Sequence, residues 1–91
     1  MKIDLTGKKA LVGGSSKGIG LGIAIELANS GASVCLMARN ESRLKEIVAQ
    51  FPNSSNHSYL VVDFSKFEEY KLKIEQYIQN NHVDILVNNT Q

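Results

Sequence analysis

The ten residues Leu11-Val12-Gly13-Gly14-Ser15-Ser16-Lys17-Gly18-Ile19-Gly20 constrain this chain more than any other stretch. They join an apolar run to a run with helical spacing through a turn dense in glycine. A strand that ends in such a loop and opens a helix builds a place for an anion. The helix N-terminus offers unpaired N–H groups and roughly half a positive charge, which suits phosphate. Glycine is needed because a Cβ would hold the backbone away from phosphate, and because some turn positions require φ > 0. The stretch reads as the phosphate-binding turn of a dinucleotide-binding unit.

The flanking segments supply the rest of a fold. Met1 to Gly7 is a lead-in, with Thr6-Gly7 as a turn. Lys9 to Gly13 is short and mostly apolar without polar alternation, as a parallel strand buried on both faces requires. Ile19 to Ser30 carries Ile23, Ala24, Leu27 and Ala28 at helical spacing, and Gly31 stands where a left-handed residue ends a helix. Ser33 to Ala38 is a second buried strand. Asn40 is placed to cap a second helix whose Leu44, Ile47, Val48 and Phe51 share one face, and Pro52 stops it. Tyr59 to Val62 reads as a third strand ending at Asp63. Ser65-Lys66-Phe67-Glu68 has capping-box spacing, so Ser65 is expected to start a third helix. Its apolar stripe is Phe67, Tyr70, Ile74, Tyr77 and Ile78. Val83 to Val87 is a fourth strand.

This alternation predicts a Rossmann-type α/β fold, with four parallel strands in the order 3-2-1-4 and helices on both faces. Such a sheet normally continues, and ending at a fourth strand leaves an apolar open edge. Residues 1–91 are therefore expected to form one incomplete domain. A net charge of +1 without dense charged blocks disfavours nucleic acid and membrane surfaces as partners. Cys35 is the one cysteine; it lies in an apolar run and is expected to be a buried thiol. His57 and His82 stand far apart, so no metal site is expected. Without a signal segment the N-x-S/T triplets at Asn40, Asn53, Asn56 and Asn88 read as turn and capping chemistry, and the cytoplasm is the expected setting.

Gly14, Gly18 and Gly20 give the spacing G-x-x-x-G-x-G. The bland reading is a tight turn with close helix–strand packing, but the strand before and the helix after favour phosphate binding. The end of the second strand bears on which dinucleotide. An acid there would bind the ribose hydroxyls of NAD and repel a 2′-phosphate. This chain instead has Met37-Ala38-Arg39-Asn40, with no acid until Glu41. Arg39 offers a planar fork of donors for phosphate, and Lys17 adds a second cation, so NADP(H) is favoured. The rivals are that both cations are merely solvated, or that Glu41 grips the ribose and NAD(H) is bound. Asp63, followed by Phe64, sits at a strand's carboxyl end, where its carboxylate can accept from an adenine amino group. Its rival role is helix capping, which Ser65 is expected to fill. Asn88-Asn89-Thr90 closes the fourth strand and offers amide and backbone hydrogen bonds to a ribose or to the neighbouring strand. The candidate cofactor-binding residues are Gly14, Ser15, Ser16, Lys17, Gly18, Ile19, Gly20, Arg39, Asn40, Asp63, Phe64, Asn89 and Thr90.

Taken together, the chain resembles the N-terminal half of a short-chain dehydrogenase/reductase. The resemblance rests on Leu5-Thr6-Gly7-Lys8, the run Gly14 to Gly20, Ala38-Arg39-Asn40, Asp63, and Asp84-Ile85-Leu86-Val87-Asn88-Asn89, in that order. It implies a glycine loop around the pyrophosphate and an adenine-contacting Asp63, with Lys17 and Arg39 matching the family's marks of NADP(H) preference. It also implies hydride transfer to a carbonyl or from an alcohol, with a 3-oxoacyl thioester or small ketone as the kind of substrate. Two positions depart from the family. Gly13 stands where a threonine ties the loop to the fourth-strand asparagine, and Thr90-Gln91 replaces Ala-Gly. The family's Y-x-x-x-K pair is absent from these 91 residues, since Tyr59, Tyr70 and Tyr77 are followed four positions on by Asp63, Ile74 and Asn81. No catalytic residue is therefore assigned. The expected partners are the dinucleotide, a small substrate in the full-length protein, and further copies of the chain. The alternative reading is a naturally short, non-catalytic nucleotide-binding or regulatory module.

Overall fold

The computed structural model describes residues 4–14, 18–52 and 56–87. The elements run β1 (Lys9–Gly13), α1 (Gly18–Asn29), β2 (Ser33–Ala38), α2 (Glu41–Gln50), β3 (Ser58–Val61), α3 (Phe67–Asn80) and β4 (Ile85–Val87). The strands form one parallel sheet in the order β3-β2-β1-β4. This is the expected strand order of a partial Rossmann-type fold.

Side chains alternate across a strand, so each strand feeds two cores. On one face Ala10, Val12, Val34, Leu36 and Ala38 pack with Ala24 and Ala28 of α1 and with Leu44 and Ile47 of α2. On the other, Leu11, Cys35 and Met37 pack with Val62, Phe64, Tyr70, Ile74 and Tyr77. Leu11, Val12 and Leu36 have no exposure. The line of α1 against the sheet is Gly20, Ala24 and Ala28. Ile23 and Leu27 are only half-buried. Small residues four apart let the helix axis come close, and larger side chains then flank the seam.

Helix α1 ends as its sequence requires. The Gly31 N–H donates to the Ala28 carbonyl and the Ala32 N–H to the Leu27 carbonyl. That reciprocal pair is a Schellman closure, with Gly31 left-handed at φ +102°. A Cβ on Gly31 would also lie 2.9 Å from Thr6 Oγ1, so no other residue fits. Asn40 caps α2 as expected, its Oδ1 accepting from the Arg43 N–H at 3.1 Å.

Three expectations are corrected. Ser65 does not cap α3. The helix starts after Lys66, and no side chain caps it. The Ser65 hydroxyl donates instead to Asp63 Oδ1 at 2.6 Å, and the Ser65 N–H donates to the same oxygen. Holding that short bond to a carboxylate orients the hydroxyl toward Asp63, away from the α3 N–H groups from which a cap would accept. The α3 stripe is also narrower than its spacing suggests. Tyr70, Ile74 and Tyr77 face the sheet, but Phe67 is 56% exposed and Ile78 45%. At about 100° per residue, Tyr77, Tyr70 and Ile74 fall within roughly 60° of one another, and Phe67 and Ile78 both lie further round on the same side, at the margin of the packed arc. Lastly, β4 begins at Ile85 and not Val83. The Asp84 N–H donates to the Lys9 carbonyl, and Asp84 Oδ2 accepts from the Lys9 N–H, so a side chain makes the first link.

His57, unassigned by sequence reasoning, is a structural residue. Its Nδ1 accepts from the Val34 N–H at 3.0 Å, which leaves Nε2 to donate to the Pro52 carbonyl at 2.8 Å. The ring thereby ties the start of β2 to the segment after α2, and it packs edge-on against Phe51. His57→Ala removes the acceptor of a buried backbone donor and should cost about 1–3 kcal/mol in urea unfolding. An unchanged midpoint and slope would contradict this. Asp84 gives a pH prediction. The Lys9 N–H, then the His82 ring, hold its carboxyl below the ordinary carboxylate range. A lowered carboxyl adds stability above its unfolded value and loses it as pH falls through the folded value. Asp84→Asn should therefore flatten the decline in Tm below about pH 4.

Candidate functional site

Parallel register brings the carboxyl ends of β1, β2 and β3 side by side, with Gly13 opposite Met37 and Ala38 opposite Val61. The segments that leave these ends are the glycine turn, Arg39-Asn40 and Asp63-Phe64. The sequence candidates thus converge on one edge of the sheet, beside the N-termini of α1 and α2. Ser15, Ser16, Lys17, Asn89 and Thr90 lie outside the described residues.

At β1 the chain turns through Gly14 at φ +65° and re-enters at Gly18 at φ +63°. Both are in the left-handed region that glycine alone adopts freely. A Cβ built on Gly18 meets nothing within 4 Å among the described residues. Ile19 is exposed and Gly20 is buried against the sheet. Gly13 carries no side chain to tie the loop. Instead Met37, Phe64 and the Val87 carbonyl close around it, at 3.4–3.5 Å from the position of a Cβ. Phe64 therefore braces the end of β1.

Arg39 follows β2 directly and is exposed. Asp63 is half-buried, and its carboxyl is held low first by the Ser65 hydroxyl, then by the Ser65 N–H, with Arg39 adding a favourable charge. Asn40 commits its Oδ1 to capping, so it would contact a ligand through other atoms. Glu41, in the first turn of α2, accepts from the Tyr59 hydroxyl at 3.0 Å. That bond was not legible in sequence, because Tyr59 lies eighteen residues away, on β3. Loss of water around the ring, then the Glu41 carboxylate, push the Tyr59 phenol up.

The residues fit a dinucleotide phosphate in two respects. Gly14 and Gly18 are both left-handed, as a turn that brings backbone close to an anion requires, and Arg39 supplies a forked cation on the same edge. A cavity of about 340 Å³ opens elsewhere, at the amino ends of the strands, where Lys9, Ser33, Cys35, Ser58 and Tyr77 line it. Burial pushes the Cys35 thiol up and, with Cys35 beside it, the Tyr77 phenol up to about 12. A thiol so placed stays protonated and is a poor nucleophile. No described helix is long and apolar enough to cross a membrane.

Comparison with known proteins agrees with this geometry. The chain is 43% identical over 90 residues to an uncharacterized oxidoreductase of Schizosaccharomyces pombe, covering 94% of this chain and 26% of that protein. A 3-oxoacyl-(acyl-carrier-protein) reductase from Agrobacterium tumefaciens, solved with NADP bound, superimposes with a TM-score of 0.81 at 36% identity. That match covers 94% of this chain and 34% of the other. L-sorbose reductase from Gluconobacter frateurii, solved with NADPH and L-sorbose, gives 0.81 at 35% identity, covering 98% and 35%. The chain thus spans about a quarter to a third of the proteins it matches. The family model described as short chain dehydrogenase matches residues 8–90, and with strand order, glycine turn and relatives in accord, the chain belongs to the short-chain dehydrogenase family.

Proposed function

We propose that residues 1–91 are the nucleotide-binding part of an NADP(H)-dependent oxidoreductase acting on a carbonyl or alcohol, of the 3-oxoacyl-thioester or small-ketone kind. The observation that carries the reading is Arg39, exposed directly beyond β2 on the edge of the sheet where β1 ends in Gly13-Gly14. The neighbours that hold NADP and NADPH support it. In this reading the N–H groups of Gly14, Ser15, Ser16, Lys17, Gly18, Ile19 and Gly20 hold the diphosphate. Arg39 and Lys17 hold the 2′-phosphate, and Asn40 stands beside them. Asp63 accepts from the adenine amino group through Oδ2, since Oδ1 already serves Ser65. Phe64 braces the floor of the site, and Asn89 and Thr90 stand on the nicotinamide side.

When bound, the dinucleotide supplies or accepts hydride. The chain's own part is to bind and orient it, and the proton-transferring residues belong to the rest of the protein. A cytoplasmic setting and assembly with further copies of itself complete the proposal.

Titration with NADPH and NADH tests the reading. NADPH should bind more tightly. Arg39→Ala should weaken NADPH about tenfold or more, the worth of a charged hydrogen bond, and leave NADH nearly unchanged. Equal weakening of both would contradict an arginine that reads the 2′-phosphate.

A further inference from the structure

The carboxyl edge of the sheet holds two acids close in sequence or space to Arg39, and each is engaged by a hydroxyl of this chain. Ser65 donates to Asp63, and Tyr59 donates to Glu41 Oε2 at 3.0 Å. Glu41 matters more, because it is the first acid in sequence after β2 and the one through which the chain could bind the ribose of NAD(H).

We propose that Tyr59 is a positioning residue for cofactor specificity, holding the Glu41 carboxylate away from the adenosine ribose, so that Asp63 is the one acid whose charge Arg39 shares when it faces a 2′-phosphate. The inference rests on the NADP(H) reading and adds to it the device that keeps the acid out. Its physical basis is a difference in stiffness. Tyr59 sits on β3 with Leu36 as its cross-strand partner, and its ring packs on the face shared with α1 and α2. The strand and two χ angles therefore fix its hydroxyl. Glu41 is an exposed side chain with three rotors, so the tyrosine decides where the carboxylate rests. Freed, that carboxylate reaches two things. It pairs with Arg39 two residues before it, or it accepts from the ribose hydroxyls. Either outcome opposes a 2′-phosphate, by removing its cation or by placing like charge beside it.

The test is equilibrium titration of the purified protein and its variants with NADPH and NADH, followed by nucleotide fluorescence, with thermal melts to confirm folding. In Tyr59→Phe the preference for NADPH over NADH should fall about tenfold, the loss expected when one charged contact is compromised. Adding Glu41→Gln to Tyr59→Phe should restore the preference, which a merely structural tyrosine would not do. Glu41→Gln alone should leave NADH affinity within about twofold, because the tethered acid does not touch the ribose; a tenfold loss overturns the tether whether or not Tyr59→Phe folds. A protein that prefers NADPH and keeps its ratio in Tyr59→Phe, or fails to regain it in the double variant, overturns the tether alone. A parent that prefers NADH overturns the cofactor reading and the tether with it.

Discussion

The structure depends on β1 being held from both sides. Its Leu11 and Val12 are wholly buried, one on each face of the sheet, and its backbone pairs with β2 and β4. A strand so enclosed has little room for polar side chains, and its own sequence, Lys-Ala-Leu-Val-Gly, keeps the single charge at the outer end. Because the strand stops abruptly at Gly13-Gly14, the chain must turn within a few residues, and the N-terminus of α1 is delivered to the sheet's edge. Every candidate ligand-binding group takes its position from that edge.

Much of this was legible in the residues themselves. The apolar runs of β1 and β2 need no partner to be recognised, since both faces are buried. Gly31 declares the end of α1, because only glycine accepts both a left-handed backbone and the nearby Thr6. Asn40 declares the start of α2 by the same local logic. The errors share one cause, which is competition from contacts that spacing does not encode. Ser65 has the spacing of a cap, yet Asp63 takes its hydroxyl. Phe67 and Ile78 have the spacing of a core stripe, yet both lie at the margin of the arc that Tyr70, Ile74 and Tyr77 pack against the sheet. His57 and the Tyr59–Glu41 bond join segments 18 to 23 residues apart, so no local pattern could announce them.

The candidate site follows the same division. The glycine turn and Arg39 were readable because their chemistry is local: a left-handed turn, a helix N-terminus, a cation at a strand end. How the acids are disposed was not readable. The fold sets donors against both Glu41 and Asp63, and these bonds decide where on the edge the negative charge rests. In the proposed reading, an edge with a forked cation and two tethered carboxylates suits a phosphorylated ribose, whereas the same sequence with free acids would be ambivalent. On this account selectivity arises from the packing of β3 against α2 as well as from the residues at the end of β2.

The most direct test of the central claim is a crystal structure of the protein with NADPH. Diphosphate oxygens should lie within hydrogen-bond distance of N–H groups between positions 14 and 20, with the 2′-phosphate beside Arg39. A nucleotide seated away from the carboxyl ends of the strands, or a diphosphate that makes no contact with the glycine turn, would contradict that claim.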